Sequence, residues 1–367
     1  MNRNRPAERG YSMKPMTTHE RFSRMYAHEQ ADRVPIVDSP WAGTLARWRK
    51  EGMPKNVPWY EYFGVDHTVS IDVDNSPRYK GGMIELTPDY TVFTTNWGAT
   101  LKRQNHADST PEFLDFKVKT PDDWLKAKAR MTPVKSRVDW SCLKRNYKTW
   151  RENGEWIEAG FWFGFDVTHS WFIGTERLLV AMAEQPEWCV DMFNHFLDLD
   201  IALFDMVWDA GYTFDCISWP DDMGYKQNQF FSLKMYRELL KPVQKRAVEW
   251  AHAKGIPAHL HSCGDIRPFI PELVEIGVDA LNPIEVKAGM DPYAIKKEFG
   301  DKLVLHGGLN AVLWDDADAV EEEMRRLIPA LKTDGGYIFS SDHSIPNSVS
   351  LATMRRIADL AKELGAY

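Results

Sequence analysis

The sequence predicts an α/β protein, a closed (β/α)8 TIM barrel with one antiparallel excursion in its first half. Three observations point there. From about residue 156, short β-rich apolar runs alternate strictly with amphipathic helical stretches, as in a parallel sheet wrapped by helices. Metal-binding and acidic residues pile up at the C-terminal ends of those runs, where barrels keep their chemistry. A chain of 367 residues with 44% hydrophobic content and no linker suits one barrel-sized domain.

Each element follows in order. Residues 1–15 carry charges with no apolar segment behind them, so they read as a flexible tail, not a secretory signal. The barrel domain is then 16–367. VPIVDS (34–39) and VSIDVD (69–74) are candidate strands. MIELTPDYTVFTTNWGATLKR (83–103) alternates without a helix and reads as an antiparallel flap over the barrel mouth. WIEAGFWFGF (156–165) is a strand, GTERLLVAMAEQ (174–185) a helix with Thr175 at its N-cap, and Pro186 opens a long helix stopped by Gly211. FDCISWPDD (214–222) is a strand. Ser232 caps a helix over 233–254, in which Pro242 implies a kink or two pieces. PAHLHSCG (257–264), ALNPIEV (280–286), LVLHGGL (303–309) and YIFSSDH (337–343) are strands, each followed by a helix.

Composition excludes several functions. The net charge is −8 without a Lys/Arg run, which argues against nucleic acid or an anionic membrane as partner. No apolar stretch reaches the length of a membrane span. Four cysteines without a CxxC pair are no disulfide framework in a chain this long, so a cytoplasmic protein with reduced thiols is expected. The 15 Trp, 18 Phe and 13 Tyr mostly pack the core, with a minority available to line a pocket.

The strand ends carry the chemistry. They bring Asp72 and Asp74, then Asp221 and Asp222, then His261, Cys263 and Asp265, then Asn282 and Glu285, then His306, and last Asp342 and His343. In AHLHSCGD (258–265), His259, His261 and Cys263 share one face of a strand. His261 and Cys263 at the mouth are an N/S pair suited to Zn2+, and Glu285, His306 and Asp342 compete to complete the set. His259, lying deeper, reads as a hydrogen-bonded interior histidine. Asp221 and Asp222 are either an acid/base pair or helix caps. Asp342 and His343 either supply a ligand and a proton or form a turn. Cys142 and Cys189 read as inert, while Cys216 sits on a strand that can approach the site. Trp41, Asp72, Trp219 and Asn282 are the candidate substrate contacts.

HLHSCGDIRPFIPELVEIGVDALNPIE, LVLHGGLN and GGYIFSSDHSIP together resemble the uroporphyrinogen decarboxylase superfamily, and DRVPI and GTERLLVAMAEQPE extend the likeness across most of the chain. The resemblance implies a (β/α)8 barrel and one of two activities. Decarboxylases of the family carry an Arg-rich RQAGRY-like segment for an octacarboxylate. Here that region reads SPWAGTLARWRKEG, with Arg47 and Arg49 only. The other branch holds zinc by HxC, a Glu and a distant Cys, and works with a corrinoid carried by a separate protein. His261, Cys263 and Glu285 match. Asp342, with His343 beside it, stands where the distant Cys would be. A harder ligand set suits an oxygen substrate. The expectation is therefore a zinc methyltransferase that demethylates a small methoxylated aromatic and passes the methyl to the corrinoid (cobalamin) protein, with Asp222 or His343 supplying a proton. A homodimer is compatible with the sequence. A porphyrinogen decarboxylase centred on Asp72 or Asp74 is the alternative, and a non-catalytic binding barrel the third reading.

Overall fold

The computed structural model describes residues 15–106 and 110–367; the tail expected over 1–15 therefore falls almost wholly outside the described residues. Seven parallel strands lie side by side in chain order: β1 (Thr68–Asp72), β2 (Trp156–Gly160), β3 (Cys216–Pro220), β4 (Ala258–His261), β5 (Ala280–Asn282), β6 (Val304–His306) and β7 (Tyr337–Ile338). The segment 35–37 joins the two edges. Phe339 N donates to Pro35 O and Val37 N to Phe339 O, at 2.9 and 3.0 Å, while Asp66 N, just before β1, donates to Ile36 O at 3.0 Å. The sheet curls into a TIM-barrel-like fold with helices outside, as the alternation predicted.

Strand alternation sorts the residues into two layers. Ile157, Ala159, Ile217, Trp219, Leu260, Leu281 and Leu305 belong to the large core between sheet and helices. Trp156, Cys216, Ala280, Val304 and Ile338 form a second cluster inside the barrel. Phe22 and Met25 join that inner cluster from the helix Thr18–Tyr26, whose N-terminus carries a Thr17/Glu20 capping box. Trp156 stacks between Phe22 and Tyr26, with both ring centroids at 5.3 Å. The N-terminal end of the barrel is thus sealed with apolar rings, and the polar inner positions are left to the C-terminal end.

Two departures from expectation, and one break that Pro242 announced, matter for the site. The flap is a four-stranded antiparallel sheet of Gly82–Leu86, Tyr90–Thr94, Ala99–Gln104 and Glu112–Phe116, one strand longer than the pattern suggested. Between β2 and the helix Thr175–Glu184 the chain forms a π-helix, Val167–Ile173, and Gly174, not Thr175, is the following N-cap. The helix expected over 233–254 divides into Leu233–Met235, a π-helical turn Tyr236–Leu240 and Lys241–Ala253, with Pro242 at the start of the last piece.

Candidate metal centre

β3 and β4 are neighbours in register, with Pro220 opposite His261. The residues just past their ends therefore converge. Asp222, His261 and Cys263 each offer one donor atom, and those atoms lie within 4.8 Å of one another. His261 Nε2 is 3.4 Å from Cys263 Sγ and 3.6 Å from Asp222 Oδ1. A tetrahedral zinc with ordinary bond lengths would set its N and S ligands about 3.5 Å apart and its N and O ligands about 3.4 Å apart.

The ring of His261 is oriented from behind. Its Nδ1 lies 2.6 Å from Asn282 Oδ1, and Asn282 Nδ2 donates to His306 O at 3.1 Å. Asn282 must therefore accept from Nδ1–H, which leaves the Nε2 lone pair facing Asp222 and Cys263. Asp222 Oδ1 also accepts from Cys263 N at 2.7 Å, tying the loop after β4 to the end of β3. Gly264 makes that loop possible. Its φ is +83°, and a Cβ there would meet Gly224 C at 2.1 Å, so the hairpin Gly224–Gln229 can rest backbone to backbone on it.

Burial, opposed by His261, raises the Asp222 carboxyl above its usual range; burial, reinforced by Asp222 and Glu285, pushes the Cys263 thiol well up. Both groups want positive charge. A divalent cation among them would reverse the balance and favour carboxylate and thiolate. An N/S/O donor set with one oriented imidazole fits zinc and leaves a coordination position open.

The remaining expected ligands stand outside this group. Glu285 Oε2 accepts Gly264 N at 2.6 Å, and Oε1 lies 3.3 Å from Lys287 Nζ. Asp342 is fully buried and clamps two loops, accepting Val286 N at 3.0 Å and Ala311 N at 2.7 Å. His306 points inward one level deeper than the group. Its Nδ1 is 3.4 Å from His259 Nε2, His259 Nδ1 is 3.0 Å from Tyr26 OH, and burial lowers the pKa of His306 to about 4. Asp221 is fully buried and turned towards the helices. It accepts Phe165 N, Asp166 N and Gln244 Nε2 at 2.8, 3.0 and 2.8 Å, and burial raises its pKa to about 8. Gly164 approaches it so closely that a Cβ would meet Asp221 Oδ2 at 2.4 Å.

His343 stands at the mouth, its ring 6.2 Å from that of Trp41, with Lys287, Glu285 and His261 around it; burial lowers its pKa. Asp72 ends β1 on the inner face, accepting Ser70 Oγ at 2.7 Å, and with Asp74 lines a cavity of about 360 Å3. Trp219 is not at the mouth. It sits one residue before Pro220, on the helix side of β3, fully buried against Phe163 with ring centroids 5.6 Å apart. Cys216 is sealed inside the barrel beside Trp156 Nε1 at 3.2 Å. All four cysteines are free thiols.

Sequence reasoning passed over Asp166, which precedes the π-helix, and His169 and Ser170 on it. His169 Nε2 lies 3.3 Å from Asp166 Oδ1, Ser170 Oγ donates to the same oxygen at 3.1 Å, and both Asp166 and His169 act on the charge of Asp222. A π-helix has no periodicity to read in advance, which hid them.

No described helix is long and apolar enough to cross a membrane. A sequence profile of the uroporphyrinogen decarboxylase (URO-D) family matches residues 17–364. Among curated proteins, the chain is 25% identical over 187 residues to a uroporphyrinogen decarboxylase of Protochlamydia amoebophila, covering 50% of this chain and 47% of that one. It is 30% identical over 135 residues to the Helicobacter pylori enzyme of the same name, covering 35% and 34%. The matched stretches thus span less than half of those relatives. Among solved structures, a methyltransferase from Methanosarcina mazei superposes with a TM-score of 0.66 at 15% identity, over 95% of this chain and 99% of that one, which establishes a shared fold.

Proposed function

The chain belongs to the uroporphyrinogen decarboxylase family, and from that premise we propose that it is a zinc-dependent methyltransferase of the corrinoid-linked kind, taking the methyl group of a methoxylated aromatic. One observation carries this reading: three donor atoms of three different chemistries, Asp222 O, His261 N and Cys263 S, meet within 4.8 Å at the open end of the barrel. A decarboxylase of this family has no need of such a group. The likeness in fold to a methyltransferase agrees with it.

Demethylation breaks the bond between oxygen and methyl carbon. The oxygen would keep the electron pair and take a proton, and the methyl carbon would pass to the acceptor substrate, a reduced corrinoid held by a separate protein. Bound zinc supplies Lewis acidity towards the leaving oxygen. The protein does the rest. Asn282 holds His261 in one tautomer, the loop fixed by Asp222 and Gly264 presents Cys263, and His343 at the rim would hand over the proton. Were Asp222 among the ligands, the proton would fall to His343 and the sulfur count to one, which would harden the site in favour of an oxygen leaving group.

Elemental analysis should find one zinc per chain. A reduced-corrinoid assay across methoxyaromatics, methylamines and methanol should show transfer from the first class, abolished in His261→Ala. Turnover of uroporphyrinogen by metal-free protein would overturn the reading in favour of the decarboxylase.

A further inference from the structure

A TIM barrel usually fills its interior with layers of branched apolar side chains. Here only the floor is filled: Trp156, Cys216, Ala280, Val304 and Ile338 are buried together. Two residues further along four of these strands, Glu158, Ser218, Asn282 and His306 are partly exposed. The residues between them, Ile157, Ile217, Leu281 and Leu305, face the helices and are fully buried. On β1, Ser70 and Asp72 are exposed on the inner face. Inward positions above the floor therefore meet open space, and the barrel is hollow from that layer up to its mouth.

The wall of this hollow is one-sided in charge. None of the seven strands contains Lys or Arg. Two carboxyl groups face inward from neighbouring strands, Asp72 on β1 and Glu158 on β2. Register sets Asp72 beside Gly160, whose missing side chain gives it room; a Cβ there would meet Asp72 Oδ1 at 2.3 Å. Burial, opposed by Ser218 and reinforced by Asp72, raises the pKa of Glu158 to about 7. A carboxyl in such a place is costly unless something hydrogen-bonds to it.

Spare hydrogen-bonding capacity lies on this wall. Asn282 is engaged by His261 and by the carbonyl of His306, and the ring of His306 by His259 and the backbone of Val37. Among the described residues, the Glu158 carboxyl has one hydrogen-bond partner, Ser218, and the Asp72 carboxyl has one, Ser70. An ionised carboxyl offers about four acceptor sites. The hollow thus fits a ligand that brings donors and no negative charge. Ser218 lies two positions before Pro220, the residue opposite His261, so Glu158 stands roughly 6–7 Å below the level of His261. One benzene ring with its substituents spans that depth.

We propose that Glu158 is a specificity-determining residue and that the substrate is a methoxylated phenol. Its ring occupies the hollow, its hydroxyl donates to Glu158, and Asp72 beside it turns away ring carboxylates. Only the place of the methoxyl end, at the candidate metal centre, rests on the methyl-transfer reading.

Isothermal titration of the full-length protein with 4-methoxyphenol, 4-methylphenol, methoxybenzene, 4-methoxybenzoate and 4-methoxybenzylamine tests this. The two phenols should bind one per chain, at least tenfold more tightly than the other three. Glu158→Met should bring 4-methoxyphenol down to the affinity of methoxybenzene and leave methoxybenzene itself unchanged. Ser218→Ala, a smaller change that releases the Glu158 carboxyl, should weaken both phenols severalfold. Equal binding of methoxybenzene, tighter binding of the carboxylate or the cationic amine, or a Glu158→Met protein that still prefers phenols would each overturn the proposal. 4-Methylphenol carries no methyl group on oxygen, so its binding can succeed where methyl transfer fails. Transfer from 4-methoxybenzoate in preference to 4-methoxyphenol would leave the methyltransferase standing and sink this assignment.

Discussion

Replacing Asn282 by Ala removes the one side chain that decides which nitrogen of His261 is available. The lost contact is a 2.6 Å hydrogen bond to Nδ1, and with it goes the 3.1 Å bond from Asn282 Nδ2 to His306 O. Freed, the ring can turn and offer either nitrogen. Removing such an orienting partner lowers metal affinity roughly 10–100-fold, which corresponds to about 1.4–2.7 kcal/mol. The orphaned carbonyl of His306 adds a separate loss of fold stability, on the order of 1–3 kcal/mol. The two effects are read by different instruments. Competition with a fluorescent zinc chelator gives the affinity, and urea unfolding of chelator-stripped protein gives the stability. Asn282→Asp keeps an acceptor at the same place and should recover most of the zinc affinity. Asn282→Ala protein that binds zinc as tightly as the parent, or an Asp variant no better than Ala, would refute the orientation argument.

Further outcomes follow from the same geometry. Cys263→Ser should eliminate the sulfur-to-metal charge-transfer band of cobalt-substituted protein while leaving circular dichroism unchanged. Asp342→Asn places an amide against the N–H groups of Val286 and Ala311, so it should lower unfolding stability by about 1–3 kcal/mol yet keep full zinc content; loss of zinc from folded protein would make Asp342 a ligand after all. Gly164→Ala should destabilise by more than about 1 kcal/mol, because φ is +91° and the new Cβ would meet Asp221 Oδ2 at 2.4 Å. The fold should also weaken as pH rises from 6.5 to 8. Burial raises the pKa of Asp221 to about 8 and of Glu158 to about 7, so the native chain holds protons that the unfolded chain has released, and stability falls as pH climbs through those values. His306, lowered to about 4, acts only below pH 6.5, in the opposite direction: there the unfolded chain binds the extra proton, and stability falls as pH drops. Urea midpoints across that range measure the slope, and Asp221→Asn should flatten it.

The barrel was legible because period-two alternation needs no long-range information: Leu260 faces the helices, His259 and His261 the interior, and the sequence spacing alone says so. The same parity excludes Trp219 from the mouth, since His261 pairs with Pro220. The His261–Cys263 half of the candidate metal group was visible for that reason. Asp222 was read as an acid, not as a donor to metal, because its proximity to His261 depends on strand order and register, which only the folded sheet fixes. The π-helix left no trace in the pattern. Its seven residues include Phe172 and Ile173, fully buried, beside His169 and Ser170, and no helical or strand period joins them.

The harder question at a barrel mouth is which of many carboxylates do chemistry, and backbone N–H demand answers it. Loops crossing the C-terminal rim leave amide donors that need acceptors in places water reaches poorly. Asp221 answers two such donors, Asp342 two, Asp38 those of Ser39 and Ser341, and Glu285 that of Gly264. These acids look catalytic in a sequence, being acidic residues after a strand, and their hydrogen bonds hold the rim in shape. Asp222 answers a single backbone donor, Cys263 N, and that bond itself points the carboxylate at the thiol and the imidazole. Exchanging the roles by mutation should therefore fail asymmetrically. Asn in place of Asp342 disturbs the fold and spares the metal, whereas Asn in place of Asp222 should spare the fold, since its amide oxygen can still accept from Cys263 N, and release the metal.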